Sequence, residues 1–159
     1  MKHGLIAFFA LPLMAGSAWA EGDIAQVNTC LDKAAQGQGA PAACIEILQT
    51  PCLDNAQETP AVATLCLKNA QDVFSDGIAA VMAKTVAEFD ERQAAVVRIE
   101  VKYDLLTNLL QCDRLEEVSL ATTEISGAEA TLQAARCQST ASALTYARLY
   151  IRSQSQVAE

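Results

Sequence analysis

Six cysteines, Cys30, Cys44, Cys52, Cys66, Cys112 and Cys137, are the residues of this chain best equipped for covalent chemistry. Thiols ligate metals, run redox exchange or form disulfides. The intervals between them are 14, 8, 14, 46 and 25 residues, so no C-x-x-C is present. Zinc and thiol-redox sites favour that close spacing, with His commonly joining the zinc ligands. The one histidine is His3, at the extreme N-terminus. An even count without metal spacing points to structural disulfides in an oxidising compartment. Six cysteines allow fifteen pairings. Cys30 and Cys44 flank a turn at residues 37–41, Cys52 and Cys66 flank residues 54–60, and Cys112 and Cys137 flank a turn near Gly127. Residues equidistant from the turn of an antiparallel helix pair face each other. The pairs Cys30–Cys44, Cys52–Cys66 and Cys112–Cys137 would therefore staple three hairpins, at about 3 kcal/mol each in the chain-entropy model. The other pairings stay open at this point.

Other chemistries lack their parts. Without an internal histidine there is no Ser-His-Asp or Cys-His site and no side chain that titrates near neutrality unperturbed. Asp90-Glu91 and Glu116-Glu117 are adjacent carboxylates. On a helix neighbours point apart, so neither pair makes a glycosidase site. Lys84, Lys102, Ser75 and Ser119 have no spacing that suggests a Ser-Lys dyad. Gly37-x-Gly39 runs into Pro41 and carries no Lys-Ser/Thr, so it is no phosphate loop. Asp72 and Asp76-Gly77 lack the flanking oxygen ligands of a calcium loop. No catalytic residue, metal site or cofactor is expected.

The elements that position the cysteines read as helices. Residues 1–20 (MKHGLIAFFALPLMAGSAWA) have a basic start, an apolar stretch too short to span a bilayer and a small-x-small end at Ala18-Trp19-Ala20. They are expected to be a signal peptide cleaved after Ala20, which places the protein in the periplasm or outside the cell. Cleavage would remove Lys2, His3 and Trp19 and take the net charge from −8 to −9. Residues 21–159 are expected to form one domain. Residues 21–58 read as short cysteine-rich helices: one over 23–36 with Asp23 as N-cap, one over 41–48, and a fresh start at Thr50-Pro51. Thr59-Pro60 opens a helical region over 59–120 with a bend near 84–92. Beyond Pro60 the chain has no proline and only Gly77 and Gly127 as glycines. Ser126-x-x-Glu129 is a capping box that opens the last helix, 127–155. With no sustained alternation there is no sheet. The expected fold is all-α, a disulfide-stapled bundle of four to five helices with the long ones at the C-terminal end.

Three stripes fall on single helix faces: Ile78, Met82, Val86 and Phe89; Ile99, Tyr103, Leu106 and Leu110; and Cys137, Ala141, Leu144, Arg148 and Ile151. All are expected to be core. Alanine is abundant and aromatics are 5% of the chain, so the core is thin and the bridges offset it. With 19 acids to 11 bases the protein is a poor ligand for nucleic acid and a good one for a basic protein. Asp113, Glu116, Glu117 and Glu124 are the candidate contact residues.

The cysteine framework resembles the LprI-like family of small secreted helical proteins, named for a lysozyme inhibitor. Cys66 and Phe74 match its first long helix, with Ile78 where that family has Leu. Cys112 matches the cysteine that ends the next helix, and Cys137 fits the last element. Ala79 and Met82 stand in place of the family's Asn and Tyr, and Val101, Asp104, Asn108 and Leu109 in place of its Gln, Trp, Arg and Asp. The resemblance implies an exported, non-catalytic binding protein that inhibits a basic wall-lytic enzyme such as lysozyme. The residues leave an alternative open: a carrier that holds a small apolar ligand between its helices.

Overall fold

The computed structural model describes residues 18–54, 56–122 and 124–156, and among them the regular elements are five helices and no strand. They are α1 (Ala18–Ala35), α2 (Pro41–Leu53), α3 (Pro60–Glu88), α4 (Glu91–Thr122) and α5 (Gly127–Gln156). The chain is an all-α, disulfide-stapled bundle. Of the leader expected over residues 1–20, residues 1–17 lie outside the described residues.

Local chemistry sets most boundaries. Gly37 and Gly39, at φ of +80° and +98°, carry the left-handed turn that ends α1. The start of α1 differs from expectation. It begins at Ala18 rather than after Asp23 and runs through Gly22. The expected restart at Pro51 is also absent, and α2 runs through that proline to Leu53. Pro51 lies in the last turn, where its missing N–H forfeits only the bond to the carbonyl of Ile47. Asp90 caps α4: its Oδ1 accepts the Gln93 N–H at 2.8 Å and its own N–H reaches Gln93 Oε1 at 3.4 Å. Ser126 caps α5 in the same way. Glu129 N–H donates to Ser126 Oγ at 3.2 Å and the Ser126 N–H donates to Glu129 Oε2 at 2.9 Å. The Ser126 backbone N–H, with its hydroxyl, holds the Glu129 carboxyl below its ordinary pKa.

Helix α5 is the hub, in contact with all four other helices. It runs parallel to α3, with Leu67 near Ala135 and Phe74 near Tyr146. It runs antiparallel to α4, tied by Cys112–Cys137 and by ion pairs Asp104–Arg148 and Glu100–Arg152. Small residues make this close packing possible. Ala130, Ala135, Ala141, Ala143, Ala147, Ser139, Ser142 and Thr145 are all buried on α5. Gly77 of α3 lies under the Tyr146 ring, and a Cβ built there would stand 2.7 Å from its Cε2. Tyr146 is buried and stacks at 5.9 Å from Phe74 and 5.8 Å from Tyr150.

The α1–α2 pair closes the bundle through α5. Tyr146 Oη donates to Asn28 Oδ1 and Tyr150 Oη donates to Asp32 Oδ1 at 3.1 Å. Buried Gln49 of α2 donates to Ser139 Oγ at 3.0 Å and accepts from Thr140 Oγ1 at 3.3 Å. The sulfur bridges are Cys30–Cys44, Cys52–Cys66 and Cys112–Cys137. They lock α1 to α2, α2 to α3 and α4 to α5, which leaves the α3–α4 corner as the one joint between successive helices without a covalent tie.

Candidate interaction surface on the fourth helix

Helix α4 is the edge of the bundle, touching only α5 and, around the corner, α3. Its inner face carries Ala94, Val97, Val101, Asn108 and Cys112, buried or half-buried toward α5. Cys112 is 2% exposed, and its bond to Cys137 fixes the rotation of the helix about its own axis.

That rotation overturns one expectation. Ile99, Tyr103, Leu106 and Leu110 are not core; with Val96 they lie on the opposite side of α4 and are 44% to 57% exposed. At about 100° per residue the two sets cannot both face α5. The bridging cysteine belongs to the set with the smaller side chains, and so the larger set is turned outward. The other two stripes fare differently. Ile78 is buried, with Met82, Val86 and Phe89 half-buried, whereas in the α5 stripe Arg148 is exposed and pairs with Asp104 Oδ1 at 3.0 Å.

Val96, Ile99, Tyr103, Leu106 and Leu110 alternate steps of three and four residues, which is heptad spacing. Leu115, Val118 and Leu120 are also exposed, on other sides of the C-terminal part of α4. Scattered single apolar residues are ordinary on a surface, but five large ones in line on one helix face mark a place where something docks. Of the proposed acidic contacts, Asp113 and Glu117 continue the stripe by one heptad and are exposed. Glu116 is half-buried on the flank, and Glu124 lies in the α4–α5 turn. The four therefore do not form one patch. Sequence reading missed the stripe as a surface because its spacing is identical to that of a buried face.

The electrostatics of the remaining groups look structural. Burial raises the Tyr146 hydroxyl above its ordinary pKa. Tyr150 is pushed up to about 12, by burial first and by the bonded Asp32 carboxylate second. Two clefts border α4, one at its N-terminal end and one along α5. One, of about 430 Å³, is lined by Phe89, Arg92, Val96, Glu100 and Arg152 among others. The other, of about 330 Å³, is walled by Glu100, Asp104, Arg148 and Arg152, with Thr145 at its base. Among the described residues no group of three or more His, Cys, Asp or Glu is placed to hold a metal ion, and no helix is long and apolar enough to cross a membrane.

No family model, curated protein or solved structure matches the chain.

Proposed function

We propose that this chain is an exported, non-catalytic binding protein that engages other proteins through the outer face of α4. The observation that carries this reading is the heptad-spaced stripe from Val96 to Leu110, exposed on the side of α4 turned away from α5. Folding alone gives no reason to leave five large apolar side chains about half exposed, since full burial of such a side chain is worth about 1.5 to 3 kcal/mol relative to full exposure. Three disulfides are compatible with this reading, since such bridges persist mainly in oxidising compartments like those outside the cytoplasm.

The family resemblance supplies a partner class, a basic wall-lytic enzyme such as lysozyme. The net charge of −8 would speed the encounter with such a protein. A turbidity assay of bacterial lysis by a basic lysozyme tests this reading. The oxidised protein is expected to slow lysis, and Ile99→Glu is expected to abolish that effect. Undiminished lysis at micromolar excess would overturn the enzyme partner, and equal inhibition by Ile99→Glu would overturn the α4 face.

A further inference from the structure

The outer face of α4 also constrains its own occupant. Resting on the reading of that face as a docking surface, we infer that it is covered by the same face of a second copy of this chain, running antiparallel across a two-fold axis between Asp104 and Leu105. The first support is the spacing. Heptad steps are what two helices need to interlock side chains along a common seam. With the axis at that point, Tyr103 meets the partner's Leu106 and Ile99 meets the partner's Leu110. Symmetry repeats each contact, which gives four apolar layers.

Charge is the second support, and it fixes the direction. The same register sets Arg92 opposite the partner's Glu117 at both ends of the seam, while Val96 faces the partner's Asp113 and adds no charge complement. Among the described residues neither Arg92 nor Glu117 has an ion pair within its own chain. A parallel, in-register pair would instead bring Arg92 against the partner's Arg92 and Glu117 against the partner's Glu117, and like charges face to face are unfavourable. The neutrality of the surface is a third support. With Glu100 and Asp104 paired to Arg152 and Arg148 of α5, the helix is left with Arg92, Arg98, Lys102 and Arg114 against Glu91, Asp113, Glu116 and Glu117, a balanced set in a chain of net charge −8. The acidity that repels two copies elsewhere is cancelled here.

The seam from Arg92 to Glu117 is roughly 37 Å long at 1.5 Å per residue. A seam of that length and one helix wide belongs with the small, weak interfaces, below the standard of about 800 Å² from each partner. Association in the micromolar range is the expectation. The position of α4 at the bundle edge leaves both copies room, because the face lies opposite the side packed on α5.

Sedimentation velocity of the oxidised, exported protein from about 1 to 100 µM tests the inference. The wild type is expected to pass from monomer to dimer over that range. Ile99→Glu and Leu106→Glu, checked for unchanged helical circular dichroism, are expected to stay monomeric. Arg92→Glu and Glu117→Arg should each weaken the dimer several-fold, and the double charge swap should restore it, since antiparallel pairing puts the swapped charges opposite each other. A double swap that is weaker than either single variant overturns the antiparallel register. A wild type that remains monomeric at the top concentration overturns the second copy alone and leaves the docking reading to the lysis assay. A dimer indifferent to Ile99→Glu and Leu106→Glu overturns the second copy on this face and likewise leaves the docking reading to the lysis assay.

Discussion

Helices α4 and α5 lie side by side with nearly equal lengths, 32 and 30 residues, joined by a disulfide, yet they dispose of their apolar residues in opposite ways. In α5 the buried residues are mostly alanine, serine and threonine, and they are buried on nearly every side. In α4 most of the large apolar residues are exposed, Leu105 and Leu109 are half-buried, and the buried ones are Ala94, Val97 and Cys112. Small side chains let α3, α4 and the α1–α2 pair approach one central helix closely. Large side chains would hold such neighbours apart, and here they sit on the face without a neighbour. Size, more than apolarity, decides which helix becomes the hub.

The sharpest way to break this comparison is to truncate a tyrosine in each helix. Tyr146→Ala in α5 is expected to cost about 3 to 5 kcal/mol in denaturant unfolding, the range for a deleted core aromatic. Tyr103→Ala in α4 is expected to stay within about 0.5 kcal/mol in dilute solution, as exposed sites do. Equal losses would mean that both helices are core.

The staple between the two helices comes next. Replacing Cys112 and Cys137 together with serine is expected to lower stability by about 3 kcal/mol, because an enclosed loop of 25 residues is released in the unfolded chain. Urea unfolding of the oxidised protein measures it. A loss near zero would show that contact with α5 alone sets the rotation of α4.

Gly77→Ala probes how closely the hub is approached. Helix propensity favours alanine by about 1 kcal/mol. The Tyr146 ring at 2.7 Å from the added Cβ opposes it, and overpacking of this kind costs about 1 to 3 kcal/mol. Net destabilisation is the expected outcome, measured as a fall in the thermal midpoint.

A smaller effect appears at high pH, on the α1 side of the hub. Tyr150 is neutral when protonated, and its folded-state pKa is raised to about 12 from 10.0. The native chain therefore holds that proton more tightly than the unfolded one. Its contribution is present in full below about pH 10 and is lost as the pH rises toward 12. Urea midpoints are expected to fall across that window, and Tyr150→Phe is expected to flatten the fall. The exposed Arg148–Asp104 pair is the smallest case, with Arg148→Ala expected to cost under about 1 kcal/mol in the same assay.

The fold class was legible in the sequence because its determinants are local. Pro60 opens α3, the long stretch beyond it holds no breaker but Gly77 and Gly127, and Ser126 with Glu129 announces α5. The hub was not legible. Alanine and serine carry no periodic signal, and the fit of Gly77 to Tyr146 joins residues far apart in the chain. The candidate surface was visible only as a stripe. Ile78 with Met82 and Ile99 with Tyr103 have the same helical spacing, and spacing tells which residues share a face without telling what covers it. Three-dimensional packing separated the two, by turning Cys112 toward α5.

The most direct test of the α4 face is the unfolding midpoint of the wild type and of an Ile99→Ser/Leu106→Ser variant across protein concentration. The account predicts that the wild-type midpoint climbs with concentration, that the variant's does not, and that the two converge on dilution. A variant that lies below the wild type by the same margin at every concentration would contradict it, because the stripe would then belong to the fold of the single chain.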